Sequence, residues 1–292
     1  MAPLTNHSTK HHTTPFPSSP FRSEAELVPF AREWLLDSLS HSGQHWLVID
    51  EHLVGTRIPD LLAARVDLRA LRARIRAKQW DPLAAGELRV LGRLRQDRSI
   101  SVSAVAIAVG YTDDAARRLL RRLERFGYIA QDNTGGFRRI RARYRIFTRL
   151  IAVEAKLRDW RRALVQARSH RSFAQECYVV FDASYETRFM NATPHFTASG
   201  TGLLAVHASD GVKRVLTPRA SRKIDPNAFA LAGEQLWLRL QGVTRPLPQT
   251  RLPNAAALIA HREGPGSPGS RSKTLVKLLD DLAGPQRDSG RS

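Results

Sequence analysis

The sequence predicts an α/β protein in which two groups of strands and helices are separated by a segment of different character. Residues 21–66 are typical of a helix followed by two strands, and residues 148–250 of strands that alternate with helices and include a hairpin with its turn at Asp210 and Gly211. Between them, residues 67–147 are dominated by amphipathic helices and end in a glycine-containing hairpin. Because both flanking groups have α/β character, we expect the middle segment to be inserted into one domain.

The first group begins with a helix. In SEAELVPFAREWLLDSL, apolar residues recur at three- and four-residue spacing, which predicts a helix that buries one side. The next stretch, HWLVIDEHLVGTRIPDLLAA, predicts two strands around a turn near Asp50 and Glu51. Asp60 belongs to the second of these strands.

The middle segment starts with a predicted helix over residues 67–79 and continues with three more. AAGELRVLGRLRQ and SVSAVAIAVG predict two of these, and Gly110 ends the second. The third, DDAARRLLRRLERFG, follows Thr112, which supplies its N-cap. YIAQDNTGGFRRIRARYRI then predicts two strands around residues 134–136.

Arginines concentrate on this segment. From Arg117 to Arg149 the chain has eleven arginines, against two acidic residues. A solvated helix face usually alternates acidic and basic side chains, so this clustering predicts contact with DNA, which we expect to be double-stranded. The arginines assigned to DNA lie on the third helix (Arg117, Arg118, Arg121, Arg122 and Arg125) and on the following hairpin (Arg138, Arg139 and Arg141).

LRRLERFGYI, followed by the Gly-Gly hairpin, resembles a winged helix-turn-helix domain over about 60 residues. The resemblance implies that the third helix enters the major groove and that the hairpin is the wing, which contacts the flanking backbone. The alternative is that the arginines form a solvated face.

A pair of opposite charges marks the second α/β group. In the apolar run LIAVEAK, Glu154 and Lys156 lie two residues apart and therefore share one face of a strand, whereas Ile151 and Val153 point into the core. A carboxylate beside an ammonium suits phosphodiester hydrolysis, because the carboxylate can hold Mg²⁺ and the lysine can orient water or offset charge. A metal rarely has one carboxylate ligand, and Asp60 is the candidate for the second.

These residues resemble the motif of the PD-(D/E)XK nuclease superfamily, which includes restriction endonucleases. IPD at residues 58–60 matches the first half of the motif and EAK at residues 154–156 the second. The resemblance implies a restriction endonuclease-like core with the order helix, three strands, helix, strand. One departure is large, since Asp60 and Glu154 are 94 positions apart. The inserted segment accounts for nearly all of that separation.

The resemblance also implies roles. Asp60 and Glu154 would coordinate Mg²⁺, or Mn²⁺ in its place, with the Ala155 carbonyl as a further ligand. Glu24, on the first helix, would support the metal. Lys156 would act on the attacking water. The second departure is His170, where related branches place tyrosine.

The resemblance gives the helix after the lysine one further catalytic role. Gln166 would orient the nucleophile. With it, the predicted catalytic set is Asp60, Glu154, Lys156 and Gln166.

The resulting hypothesis is a metal-dependent DNA endonuclease or DNA-processing nuclease with an inserted winged helix. Its rival is a DNA-binding regulator that uses a nuclease-like fold as a scaffold. A weaker alternative is an RNA-directed nuclease. For Glu154 and Lys156 themselves, the simplest alternative is an ion pair on a solvent-facing side of a sheet, contributing at most ~1 kcal/mol.

The overall composition limits the class of protein and the kinds of partner to expect. A net charge of +19 favours a polyanionic partner. No apolar run is long enough for a membrane span, and no secretory signal is apparent, so we expect a cytoplasmic protein. The single cysteine, Cys177, excludes an internal disulfide and is expected in the core. Residues 1–20 are predicted to be disordered, and residues 251–292 to form a flexible tail with a short helix. The sequence leaves open whether the protein forms a homodimer.

Overall fold

The computed structural model describes residues 20–51, 54, 57–140 and 144–241, which form a mixed α/β fold around a six-stranded sheet. The tails predicted at residues 1–20 and 251–292 lie outside these residues, except for Pro20.

The α/β elements before and after the middle segment build the sheet. The elements before residue 83 are a 3-10 turn (Glu24–Leu27), α1 (Val28–Ser40), β1 (Trp46–Asp50), β2 (Leu61–Val66) and α2 (Leu68–Arg76), a helix that the sequence had placed in the middle segment. The middle segment holds α3 (Ala85–Arg93), α4 (Val102–Val109), α5 (Asp113–Arg125), β3 (Ile129–Gln131) and β4 (Phe137–Arg139). After it come β5 (Phe147–Lys156), α6 (Trp160–His170), β6 (Glu176–Asp182), a 3-10 turn (Ala183–Tyr185), α7 (Glu186–Asn191), α8 (Thr193–Ser199), β7 (Gly202–His207), β8 (Gly211–Leu216) and α9 (Pro226–Leu240).

The sheet runs in the order β1-β2-β5-β6-β7-β8. β1, β2 and β5 pair antiparallel, β6 and β7 continue parallel to β5, and β8 returns antiparallel as the predicted hairpin. The expected turn near Asp50 is a longer connection, because β1 ends at Asp50 and β2 begins only at Leu61. β2 and β5 are neighbours although the whole middle segment separates them in the sequence.

Both faces of the sheet are covered. Alternate residues of β2 and β5, such as Leu62 and Ala152, pack in a cluster with α2, α6 and α9. The residues between them, such as Leu61 and Val153, pack against α1 on the other face. Cys177 is fully buried in the first cluster, as predicted. The centre of a strand such as β5 is therefore screened from water on both sides, which is why residues 150–153 are an unbroken apolar run.

Residues 83–140, which we call the helix–hairpin segment, have a separate hydrophobic cluster formed by α3, α4, α5 and the β3–β4 hairpin. Thr112 caps α5 through its hydroxyl, and Gly110 ends α4 in the left-handed conformation, as predicted. Ile100 bridges Phe137, so that a third short stretch extends the hairpin. α2 lies outside this cluster, because its Ala70 and Leu71 pack under the sheet.

The helix α9 joins the two hydrophobic clusters. Its Leu236 packs under the sheet, whereas Ala230 packs in the helix–hairpin segment. Glu234, between them, forms two 2.7 Å contacts with the guanidinium of Arg74 on α2 and accepts a 2.9 Å hydrogen bond from the Leu83 amide. The ion pair joins α2 to α9, and the bond from the Leu83 amide ties the start of the helix–hairpin segment to α9.

Candidate active site

The register of β2 and β5 brings Asp60 next to Glu154. Leu61 pairs with Val153, so Asp60 precedes β2 opposite Glu154. Asp60 Oδ2 accepts a 2.6 Å hydrogen bond from the Ala155 amide. The two carboxylates that the sequence assigned to one site thus lie side by side, although Asp60 is the residue before β2, whereas the sequence had placed it in the strand itself.

Lys156 lies at the centre of this group. Its Nζ is 3.1 Å from Glu154 Oε1, 2.9 Å from Glu24 Oε2 and 2.8 Å from the Ala155 carbonyl oxygen. An ammonium has three donors, and all three are used. Glu24 reaches the site from the 3-10 turn before α1. The sequence had placed this residue on the first helix itself.

His170 completes the cluster, although it was not among the predicted site residues. Its Nε2 lies 3.1 Å from Glu154 Oε2, so both oxygens of Glu154 are engaged. His170 ends α6, the helix that packs over this end of β5. The sequence feature that could have identified His170 is its position on the helix after Lys156, where the branches that the motif resembles place tyrosine.

Burial separates this cluster from a surface ion pair. Glu154 is 1% exposed, Lys156 4% and His170 3%. Two charges removed from water are not explained by a solvated sheet face, which the sequence had left as the simplest alternative. Among the five side chains, Glu24 is the most accessible, with 46% of its side chain exposed. Solvent therefore reaches the cluster from the side of Glu24.

The charges of the cluster do not balance. Three carboxylates (Glu24, Asp60 and Glu154) face one ammonium and one imidazole. Burial, followed by the charge of Glu154, raises the pKa of Asp60 to about 6. Burial lowers the pKa of Lys156, but the hydrogen bond that its ammonium donates to Glu24 and the charge of the nearby Glu154 outweigh burial, so the pKa is raised and the amine is an ammonium at neutral pH.

Gln166 is not part of the contacts made by the other predicted residues. It lies one turn before His170 on α6, and its buried Oε1 has no hydrogen-bond partner in the described part of the chain. Residues four apart share a helix face, so the amide is a neighbour of His170 with an unused acceptor. Its predicted role as the residue that orients the nucleophile stays a prediction.

The carboxylate and carbonyl oxygens of the cluster are ligands that a hard cation prefers, but their arrangement is less suited to holding one. The excess of carboxylates over positive charges and the raised pKa of Asp60 suit a divalent cation. However, within the described ranges, no group of three or more His, Cys, Asp and Glu side chains is arranged to hold a metal ion. Each Glu154 oxygen already has one contact, so a bound cation would share these oxygens with Lys156 and His170. Asp60, Glu154, Glu24 and the Ala155 carbonyl stay the predicted ligands.

The arginines assigned to DNA have different surroundings. Arg117, Arg118, Arg121 and Arg125 are exposed on α5, but Arg122 forms a 2.6 Å ion pair with the buried Glu87 and lies over Phe126.

The hairpin arginines also differ from one another. Arg138 is exposed on β4, whereas Arg139 is half-buried and lies over Tyr144. Arg141 is outside the described residues.

Comparison with protein-family models, with curated proteins and with solved structures gave no match. None of the helices in the described part of the chain combines the length and the apolar character that crossing a membrane requires.

Proposed function

We propose that this protein is a metal-dependent nuclease that hydrolyses DNA phosphodiester bonds, with the helix–hairpin segment acting as a winged helix that delivers the DNA. The observation that carries the proposal is the buried Asp60–Glu154–Lys156 cluster at the junction of β2 and β5. Apart from α2, which lies between β2 and the helix–hairpin segment, the element order α1, β1, β2, β5, α6, β6 is the order that the motif resemblance implies, which supports a restriction endonuclease-like core.

Asp60 and Glu154 would hold Mg²⁺, assisted by the Ala155 carbonyl and by Glu24. When bound, the cation would supply polarisation of the phosphoryl oxygen and a lower pKa for a coordinated water. The excess of negative charge in the cluster is the feature that such a cation would neutralise.

Lys156 would orient the attacking water or offset charge on the phosphorane, and it would not act as a base, because its raised pKa keeps it protonated. All three of its donors are taken, so a substrate oxygen must replace one partner. Glu24 is the partner whose carboxylate water can solvate. Replacing its contact with Lys156 by a substrate oxygen therefore costs the least free energy. His170 would act as a positioning residue by holding Glu154.

The exposed arginines of α5 would provide the DNA contact. Arg117, Arg121 and Arg125 repeat every four residues on the outside of the segment, and the described residues offer them no carboxylate partner. Their charge is available to phosphates, which supports binding without specifying a sequence.

The second candidate is a DNA-binding regulator with a nuclease-like scaffold. One observation favours it: both oxygens of Glu154 and all donors of Lys156 are satisfied within the chain. A closed network of this kind is compatible with a structural role.

Incubation of the purified protein with supercoiled, linear and branched DNA, and with RNA, separates these functions. Each substrate is tested with Mg²⁺, with Mn²⁺ and with EDTA. Metal-dependent cleavage of DNA that Lys156→Ala abolishes and the exposed-lysine control Lys213→Ala retains is the expected result. DNA binding without cleavage under every condition would favour the regulator, and cleavage confined to RNA would reassign the substrate.

A further inference from the structure

A second positively charged feature lies at the junction of the helix–hairpin segment and the sheet domain. It is an open cleft of about 1030 Å³ between α3, the end of α4, β4, the first residues of β5 and the start of α9. We call it the junction cleft. Five arginines line it: Arg65, Arg89, Arg93, Arg139 and Arg145.

Among the described lining residues of the junction cleft, five arginines meet one carboxylate. This carboxylate, Asp67, caps α2 by accepting from the amides of Arg69 and Ala70. None of the five arginines forms an ion pair with a described carboxylate. Within the same part of the chain, Arg65 donates to the neutral side chains of Thr148 and Gln44. Mutual repulsion of these cations is unfavourable unless an anion binds.

Two of the arginines also have unused donors. The Nε atoms of Arg139 and Arg145 are buried and have no hydrogen-bond acceptor in the described part of the chain. A buried donor without a partner costs about 1–3 kcal/mol, and an acceptor supplied by a ligand would remove that cost. Both guanidiniums lie over the ring of Tyr144, at 5.6 and 5.5 Å from its centroid, so their orientation is fixed in advance.

The aromatic rings indicate what the ligand contacts. Tyr144 carries two guanidiniums, and Phe229 is 5% exposed beneath Arg145. These faces are therefore unavailable for stacking on a base. What the cleft offers is a set of forked, oriented donors, which match phosphate oxygens rather than bases.

We infer that the junction cleft binds phosphates, either those of a nucleic-acid backbone or those of a free nucleotide. The junction cleft is distinct from the candidate active site. Thr148 lines the cleft and Glu154 belongs to the active site, and the two residues lie six positions apart along β5, or about 20 Å. No residue of α5 lines the cleft among the described residues, so the contact is also separate from the predicted recognition helix.

Binding is tested in EDTA, without any requirement for cleavage, by fluorescence anisotropy with a labelled 20-nucleotide single strand and a 20-base-pair duplex. ADP is tested by calorimetry. The variants are Arg139→Gln/Arg145→Gln and, on the exposed side of α3, Arg89→Gln/Arg93→Gln. Arg188→Gln/Arg222→Gln, at exposed positions outside the cleft, is the charge-matched control.

Each cleft variant is expected to weaken binding of at least one probe about tenfold and, for an oligonucleotide, to lower the salt slope by about two. An effect on the oligonucleotides alone assigns the cleft to nucleic-acid backbone, and an effect on ADP alone assigns it to a nucleotide. Affinities equal to the control for all probes would overturn the inference. So would competition by poly-L-glutamate as effective as that by DNA. If Arg139→Gln/Arg145→Gln fails to fold, the binding affinities of Arg89→Gln/Arg93→Gln provide the test.

Discussion

Asp60 accepts a 2.6 Å hydrogen bond from the backbone amide of Ala155, the residue between Glu154 and Lys156. This bond ties the carboxylate before the insertion to the strand after it. Among the described residues, Asp60 Oδ1 forms no hydrogen bond, so this oxygen is available to a ligand.

Replacing Lys156 with alanine should reduce metal-dependent DNA cleavage at least ~100-fold, the scale expected for a positioned catalytic group. DNA binding, which we assign to the arginines, should be unchanged. Because Lys156 is buried between carboxylates, the variant should also lose about 3–5 kcal/mol of unfolding free energy, so rates must be measured well below its melting temperature. Cleavage by Lys156→Ala at the wild-type rate would remove this residue from the mechanism.

His170→Ala should lower cleavage by about 10–100-fold, because Glu154 would lose the contact that fixes one of its oxygens. His170→Gln keeps an amide donor of similar reach and should recover part of the rate. A purely structural role would instead lower the melting temperature of both variants and leave the rate of the folded protein unchanged. The rate is measured with saturating Mg²⁺ in each case.

Asp60 predicts a pH dependence with a definite sign. Its pKa is raised from 3.8 to about 6, so the folded protein binds more protons than the unfolded chain between these values. Relative to Asp60→Asn, the wild type should therefore lose stability as the pH rises from about 4 to about 6, and then level off.

Mg²⁺ affinity should change in the opposite direction and increase as the pH rises through about 6, because the ligand must be deprotonated. Urea unfolding and calorimetric Mg²⁺ titration check the two statements about Asp60. Identical pH profiles for the wild type and Asp60→Asn would contradict both.

Alanine at Arg117, Arg121 and Arg125 should weaken DNA binding and lower the salt slope by roughly three, about one for each phosphate contact. Stability should change little, since all three side chains are exposed. Arg76, Arg188 and Arg222, also exposed, provide a triple variant with the same loss of charge. Equal salt slopes for the two triple variants would show that the α5 face is only solvated.

Arg74→Gln should lower the free energy of unfolding by about 3–5 kcal/mol, because it leaves Glu234 buried without its partner. Arg72→Gln, two positions earlier and exposed, should have little effect. Chemical unfolding followed by tryptophan fluorescence is a suitable measurement, since Trp80 and Trp237 stack beside this ion pair. Equal stability of the two variants would argue against a joining role for α9.

The sequence predicted the elements whose signals are local. Helical periodicity, Thr112, Gly110 and the glycine hairpins gave the helix–hairpin segment and the β7–β8 pair correctly. The same-face argument paired Glu154 with Lys156, and the need for a second carboxylate ligand indicated Asp60, which the structure places beside Glu154. α9 was not predicted, although Asp225 as its N-cap and Pro226 at its first position were available signals.

Other features depended on tertiary neighbours. Counting charges could not show that Arg122 is paired with Glu87, or that Arg139 turns towards Tyr144 and the junction cleft. The contact between His170 and Glu154 requires α6 to lie over the end of β5, which no local pattern encodes. The burial of Lys156 likewise follows from the covering of both sheet faces, whereas a strand with two charges suggested partial exposure.

The ends of the insertion meet, since the Asp67 amide donates a 2.8 Å hydrogen bond to the Ile146 carbonyl. Closing an unstructured loop of that length to pair β2 with β5 would cost about 4 kcal/mol of chain entropy that depends on length. A helix–hairpin segment that folds first holds its ends near each other and removes most of that cost. Formation of the cluster would then be a late folding event, and mutations that slow folding of the segment should delay the burial of Glu154 and Lys156 without touching either residue.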